Sequence, residues 1–327
     1  MGAYTKLKCL LENALKPVAI VAIVAGAATG VQAQSNNQSI NVKVDKRPII
    51  HPDATKFGAY DPHGDFTNQK SVSTEHLFLP WEDVELNDLY VADDYAFARG
   101  RKLLITVEPW SWALDWRVTS DQLRRRILAG TYDANMLAIT KIVAKLKSPV
   151  TIRWGQEMEN KSGRFSWANW NPADYKKAYV RMMKIVRKVS PNAQIMWSPR
   201  GEKNLQDYYP GPEFIDIIGL SVFGLKKFDE IEFGKPRSFQ QSVKQGYELT
   251  VGYGKPIWVA ELAYEGEDAY VLDWLKTVTK KFPEYPELKE VIYFNDKEVY
   301  PWPYNLGLPE WRVVRGQASS IRRQRKK

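Results

Sequence analysis

Cysteine is all but absent: Cys9 is the only one in 327 residues, and it lies in the N-terminal apolar segment. Disulfide frameworks and cysteine-ligated zinc are therefore excluded, and a chain of this size does not need disulfides to hold a core. Histidine is scarce too. His51, His63 and His76 follow no metal-binding spacing, so neither a metal nor a cofactor is expected. The turn after the first strand-like run, Asp61-Pro62-His63-Gly64-Asp65, lacks the GxGxxG pattern of a dinucleotide fold. After residue 33 no apolar run is long enough to cross a membrane. The fold also lacks net charge. Of the formal +9, residues 1–33 hold +2 and the last 17 residues, Arg312 to Lys327 among them, hold +7, which leaves Gln34 to Glu310 at zero. A basic end of this kind suits contact with an anionic polymer or surface, or plain solvation; nucleic acid is not an expected partner, and a monomer is.

Lys6, Lys8 and Lys16 precede an apolar stretch from Pro17 to Val31, and Val31-Gln32-Ala33 supplies small residues at a cleavage site. The pattern predicts an export signal over residues 1–33, with a periplasmic or extracellular product; an uncleaved anchor is the alternative. A polar linker is expected at 34–48, the folded domain at 49–310 and a basic, disordered tail at 311–327.

Between 57 and 294, short apolar runs alternate with helical patterns. Strands are expected at 57–60, 76–79, 103–108, 150–154, 194–198, 215–220, 256–260 and 291–294. Helices are expected at 84–99, 121–128 with 134–146, 172–189, 239–253 and 269–280, and Asn171-Pro172 is a cap followed by a first-turn proline. Eight such repeats of apolar, buried strands predict an α/β fold of the (β/α)8 TIM-barrel type, in which loops after the strands form the active face.

Two of the strand-like runs end in glutamate: Thr151-Ile152-Arg153-Trp154-Gly155-Gln156-Glu157 and Lys255-Pro256-Ile257-Trp258-Val259-Ala260-Glu261. A pair of carboxylates on two buried strands is what cleavage of a glycosidic bond needs. The other strand ends carry acids, amides and aromatic rings, among them Glu108, Trp110, Trp112, Gln156, Ser221, Tyr264 and Asn295, with no phosphate loop. Rings stack on sugar faces while amides and acids bind hydroxyls. With 12 Trp, 17 Tyr and 12 Phe, the same aromatics serve a core equally well. Trp110, Trp112, Trp167, Trp170, Trp197 and Trp302 are candidate stacking platforms.

Arg153-Trp154-Gly155-Gln156-Glu157-Met158 resembles the fourth-strand motif of glycoside hydrolase family 26. Asn171 to Tyr175, Ile195 to Pro199, Tyr208 to Gly211, Asp216 to Leu220 and Lys255 to Glu261 are similar to that family in the same order, as are the Phe57 to Asp61 start and the Tyr293-Phe294-Asn295 finish. The resemblance implies a retaining, endo-acting barrel enzyme with Glu157 as acid/base and Glu261 as nucleophile, about 5–5.5 Å apart. Glu159 competes for the acid role. Gln156 stands where the family has His, Glu159 where Asn is common, and Phe223 where a Tyr usually hydrogen-bonds the nucleophile.

Arg153 is expected to support the site from below and to fix a carboxylate. Arg153, Gln156, Trp110, Trp197, Phe223, Tyr264 and Asn295 form the expected substrate-binding set. The resemblance implies β-mannan, mixed-linkage β-glucan or β-1,3-xylan as substrate. The three departures favour a glucan or a self-made exopolysaccharide. A non-catalytic polysaccharide-binding barrel and a transglycosylase are the alternatives.

Overall fold

The eight apolar runs become eight strands of one closed parallel barrel. In this computed structural model, which describes residues 44–314, β1 (Lys56–Tyr60), β2 (Val72–Pro80), β3 (Lys102–Glu108), β4 (Val150–Trp154), β5 (Gln194–Trp197), β6 (Ile217–Leu225), β7 (Ile257–Glu265) and β8 (Leu288–Phe294) pair in chain order, and β8 returns to β1. The (β/α)8 expectation holds. Outside the sheet lie α1 (Asp88–Phe97), α2 (Ser120–Ala129), α3 (Asp133–Val143), α4 (Pro172–Val189), α5 (Lys226–Phe233), α6 (Phe239–Thr250) and α7 (Asp268–Thr277). α4 starts where its sequence says it must: Asn171 accepts the Ala173 N–H (2.9 Å) and Pro172 occupies the first turn. Its inner face, Tyr175, Ala178, Tyr179, Met182, Met183 and Val186, is buried at helical spacing. Among the described residues no helix is long and apolar enough to cross a membrane.

Several boundaries differ from expectation, each for a polar residue that found a partner. β2 begins at Val72 rather than 76 because Thr74 donates to Glu290 (2.6 Å) and Glu75 forms a buried ion pair with Arg101. β6 and β7 run past 220 and 260 to Leu225 and Glu265, where small and polar residues break the apolar pattern while the strands go on pairing. α5 was not expected at all. Its Lys-Lys-Phe-Asp-Glu sequence reads as surface, yet Asp229 is fully buried, pairing with Arg237 and accepting from the Tyr270 hydroxyl (3.0 Å). No α-helix joins β1 to β2 or β5 to β6; the second link holds only short 3-10 turns.

The folded unit also exceeds 49–310. Lys46, expected in a linker, is buried and pairs with Glu265 (2.8 Å). Trp311 and Val313, expected in a disordered tail, are fully buried, and Arg312 bonds Asp65 (2.7 Å). The predicted signal, residues 1–33, and the basic run from Arg315 to Lys327 lie outside the described residues.

Inside the barrel, alternation sorts chemistry by height. Leu104, Met196, Ile217, Trp258, Ala260 and Ile292 form an apolar cluster of their own, separate from the core under the helices. One step further along β3 is Thr106, and one step beyond that Glu108, so the lumen passes from apolar packing to a polar network to the loop-lined mouth.

Candidate active site

Arg153 occupies the centre of the polar layer, with no exposed surface. Its Nε donates to Ser198 Oγ (2.8 Å), its Nη1 donates to Thr106 Oγ1 (3.2 Å), and Nη1 lies 2.7 Å from Glu261 Oε1. Ser198 Oγ passes its proton to the Gly219 carbonyl (3.0 Å). The same Thr106 hydroxyl lies 2.7 Å from His76 Nε2. Burial together with the Arg153 charge pushes the His76 pKa well below the usual histidine range, so the ring is neutral. Residues of β3, β4 and β7 and of the loop after β5 thus hold one guanidinium against one carboxylate.

Glu261 reaches this layer through a β-bulge. Leu220 pairs with Val259 but Ser221 pairs with Glu261, so β7 carries an extra residue at this point. Ala260 already faces the inner apolar cluster, and strict alternation would send Glu261 outward. The extra residue turns it back into the lumen. Phe223 does not face it: Ser221 is its register partner, and Phe223 pairs with Ala263 one step nearer the mouth, packed on Phe294, Trp302 and Trp311.

Glu157 follows β4 in a positive-φ conformation (53°), two residues after Gly155 (56°). A left-handed non-glycine residue is held there by its surroundings. Its N–H donates to the Ser198 carbonyl (2.8 Å) and its Oε2 accepts from Asn160 Nδ2 (3.1 Å). Both carboxylates are buried, at 7% and 6% exposure, which leaves each only an edge toward the cleft. Burial pushes Glu261 up to about 7, Arg153 pulls it down and the Glu157 charge pushes it up again. Burial also raises Glu157, but Arg200, Arg164, the neighbouring Ser221 and Arg153 together hold it below the ordinary range. The two carboxylates therefore titrate together, and burial with their mutual repulsion favours retention of one proton by the pair.

Glu159 is only 1% exposed and is directed elsewhere. Its Oε1 accepts the N–H groups of Gly201 (2.9 Å) and Glu202 (3.2 Å), in the loop after β5. Burial pushes its carboxyl up to about 7 against those hydrogen bonds, with Glu157 adding to the rise. The folded state therefore binds this proton more tightly than the unfolded chain. The resulting stabilisation is complete below 4.5 and is lost as pH rises through about 7. Its size is about 3 kcal/mol. Glu159→Gln keeps the acceptor oxygen and removes the titration. Its melting temperature should match that of the unaltered protein near pH 5 and exceed it near pH 8; parallel pH profiles would contradict the assignment.

At the mouth, Glu108 gathers three donors: Trp110 Nε1 (3.0 Å) and Trp112 Nε1 (2.6 Å) on one oxygen, Gln156 Nε2 (3.2 Å) on the other. Gln156 is thereby oriented, and its own Oε1 is buried without a protein partner. An amide held this way presents an acceptor to a sugar hydroxyl.

Three residues of the expected binding set are placed away from the cleft. Trp197 is fully buried and packs outward on Tyr209 and Tyr253, because Met196, not Trp197, has the inward parity on β5. Tyr264 lies behind the barrel, donating to the Lys46 carbonyl and packing on Trp274. Asn295 is fully buried and uses its amide on Asp61, Asp65 and the Val313 N–H. Of the proposed platforms, Trp167 and Trp170 are also buried and structural. Trp110, Trp112 and Trp302 keep partial exposure. The sequence reading had not singled out Thr106, Asn160, Arg117, Lys161 or Arg164. Asn160 lies three residues after Glu157 and was legible in principle. The rest carry no local pattern.

Residues 110–244 match the family model for glycosyl hydrolase family 26. Over that stretch the chain is similar to glycosyl hydrolase family 26. The stretch includes Glu157 and ends before Glu261, so the second carboxylate rests on the geometry above. Among solved structures, a family 26 β-mannanase from Bacteroides ovatus shares 18% identity over 74% of this chain and 80% of its own, with a TM-score of 0.51. An endo-β-1,4-mannanase double mutant from Cellulomonas fimi shares 16% identity over 74% of this chain and 65% of its own, with a TM-score of 0.57. Such identities speak for the barrel alone. A β-1,3-xylanase from an Alcaligenes species is 23% identical over 142 residues, 38% of this chain and 29% of that protein. The chain thus aligns to less than a third of the length of the curated relatives it matches.

Proposed function

We propose that this protein is a retaining endo-β-glycanase. The observation that carries the reading is the pair of buried carboxylates, Glu157 just after β4 and Glu261 within β7 of one barrel, with Arg153 bound to Glu261. The xylanase and mannanase names of the relatives support a β-linked polysaccharide as substrate.

In the first step Glu261 attacks the anomeric carbon while Glu157 gives its proton to the departing glycosidic oxygen, leaving a glycosyl ester on Glu261. In the second, Glu157 takes a proton from water, the water oxygen bonds the anomeric carbon and the Glu261 carboxylate leaves. Arg153 is fixed on Glu261 and stabilises its charge both before attack and on departure. The mechanism needs the proton of the pair on Glu157. A sugar ring lying over Glu157 removes the solvent that helps to support its charge and so moves the proton to it. Ester formation at Glu261 then removes the neighbouring negative charge, and Glu157 becomes free to act as base.

The same proposal includes export through residues 1–33 and processing of the cell's own β-linked exopolysaccharide, a glucan in preference to plant mannan. Reducing-sugar assays on β-mannan, mixed-linkage β-glucan, β-1,3-xylan and the host's exopolysaccharide test it, with the anomer of the first product followed by NMR. One polymer should be cut with retention, and kcat/KM should fall above about pH 7 as the pair loses its last proton. Inversion, or binding without cleavage of any of them, would refute it; binding alone would favour the non-catalytic barrel.

A further inference from the structure

Beside Glu157 a cavity of about 370 Å3 opens between the β3–α2 loop and the loop after β4. Asn160, which bonds Glu157, and Trp110, which bonds Glu108, are both in its wall, so the cavity continues the cleft. Its lining holds three cationic side chains, Arg117, Lys161 and Arg164, and no carboxylate. In a domain whose body has no net charge, this is a local concentration of one sign.

The three cations differ in what they have left to offer. Arg164 is bound bidentately to Glu298 (2.9 and 3.3 Å), which fixes its position and offsets its charge. Arg117 lies flat over the Trp110 ring, 3.7 Å from its centroid, and donates through Nε to the Ser111 carbonyl (2.8 Å). Its terminal nitrogens have no ion-pair partner among the described residues. Lys161 is exposed on the opposite loop and is likewise unpaired there. The Trp110 face that a neutral sugar would stack on is therefore already covered by a guanidinium. That plane offers a fork of N–H donors, which matches a carboxylate better than a hydroxyl.

Resting on the glycanase reading, we infer that the cavity is a subsite for a carboxylate-bearing sugar unit, and that the natural substrate is an acidic β-glycan. Arg117 would take the carboxylate in its fork and Lys161 would add charge from the far wall, while Ser120 and Asn169 offer hydroxyl partners. Arg164 is committed to Glu298 and serves as the fixed wall between this subsite and the reacting carboxylates. Its charge acts on Glu157 and Glu261 as well.

The test is binding rather than turnover, so that it can fail separately from the catalytic reading. Calorimetry on the inactive Glu261→Gln protein would compare mannotetraose and mixed-linkage glucotetraose with their C6-oxidised, uronate-bearing counterparts. The acidic form of one backbone should bind about tenfold more tightly at low salt, and added salt should erode that preference. Arg117→Gln and Lys161→Gln should each shrink the acid-to-neutral ratio, and Lys161→Arg should keep it. Equal binding of the two forms, binding of neither, or a ratio untouched by both Gln variants would overturn the inference. Acidic binding with a catalytically silent unaltered protein would leave the subsite standing and sink the hydrolase.

Discussion

Glu261→Gln should stop turnover while leaving saccharide binding intact, and Glu157→Gln should slow it about 10²–10⁴-fold. The two losses differ in kind. Without Glu261 no glycosyl ester forms; in the truncated Glu261→Ala variant, which leaves room where the carboxylate was, added azide should attack the anomeric carbon and release the leaving group, giving a glycosyl azide of inverted configuration. Without Glu157 an activated aryl glycoside should still react quickly in its first step, because its leaving group needs no proton, and the trapped ester should become visible by mass spectrometry. The double variant should be no slower than the slower single one, since both residues serve one reaction coordinate. Wild-type turnover in either single variant would sink the assignment. An exchange of the two phenotypes would reverse the roles.

Arg153→Met should be the most damaging change outside the two glutamates. It leaves Glu261 buried without its 2.7 Å partner and removes the donors to Ser198 and Thr106. Loss of one member of a buried pair costs about 3–5 kcal/mol. The cost should depend on pH in a definite direction. Unpaired Glu261 relieves its burial by taking a proton, so the destabilisation should be smaller near pH 5 than near pH 8. Activity should behave oppositely, because a protonated nucleophile is inert: the acid limb of kcat/KM should move upward. Adding Glu261→Gln to Arg153→Met should recover part of the lost stability at high pH and none of the activity. Chemical denaturation at the two pH values measures the first effect. A pH-independent loss would mean that Arg153 matters for packing rather than for its charge.

The barrel was legible because its strands are nearly continuous apolar runs at regular spacing and α4 announces itself through Asn171-Pro172. Glu157 and Glu261 were legible as a candidate pair because each closes an apolar run in the sequence. The failures share one cause. Trp197, Tyr264 and Asn295 were read as site residues from their place after strands, but which side a strand-end residue faces depends on parity and on bulges. At β5 the inward parity belongs to Met196. At β7 one extra residue brings Glu261 inward, while Tyr264, three positions on, lies behind the barrel. A sequence shows alternation, but not where alternation is interrupted.

Composition and hydrophobic period determined the eight-stranded barrel, and the ends of two apolar runs marked Glu157 and Glu261 as candidates. Charge required tertiary structure. Lys46, Glu75 and Asp229 look like surface residues in the chain and are buried, because Glu265, Arg101 and Arg237 come from distant segments to meet them. Arg117, Lys161 and Arg164 look equally ordinary. They share one cavity beside Glu157 only because the loops after β3 and β4 close on each other there, and a Coulomb interaction depends on distance in space, not separation along the chain.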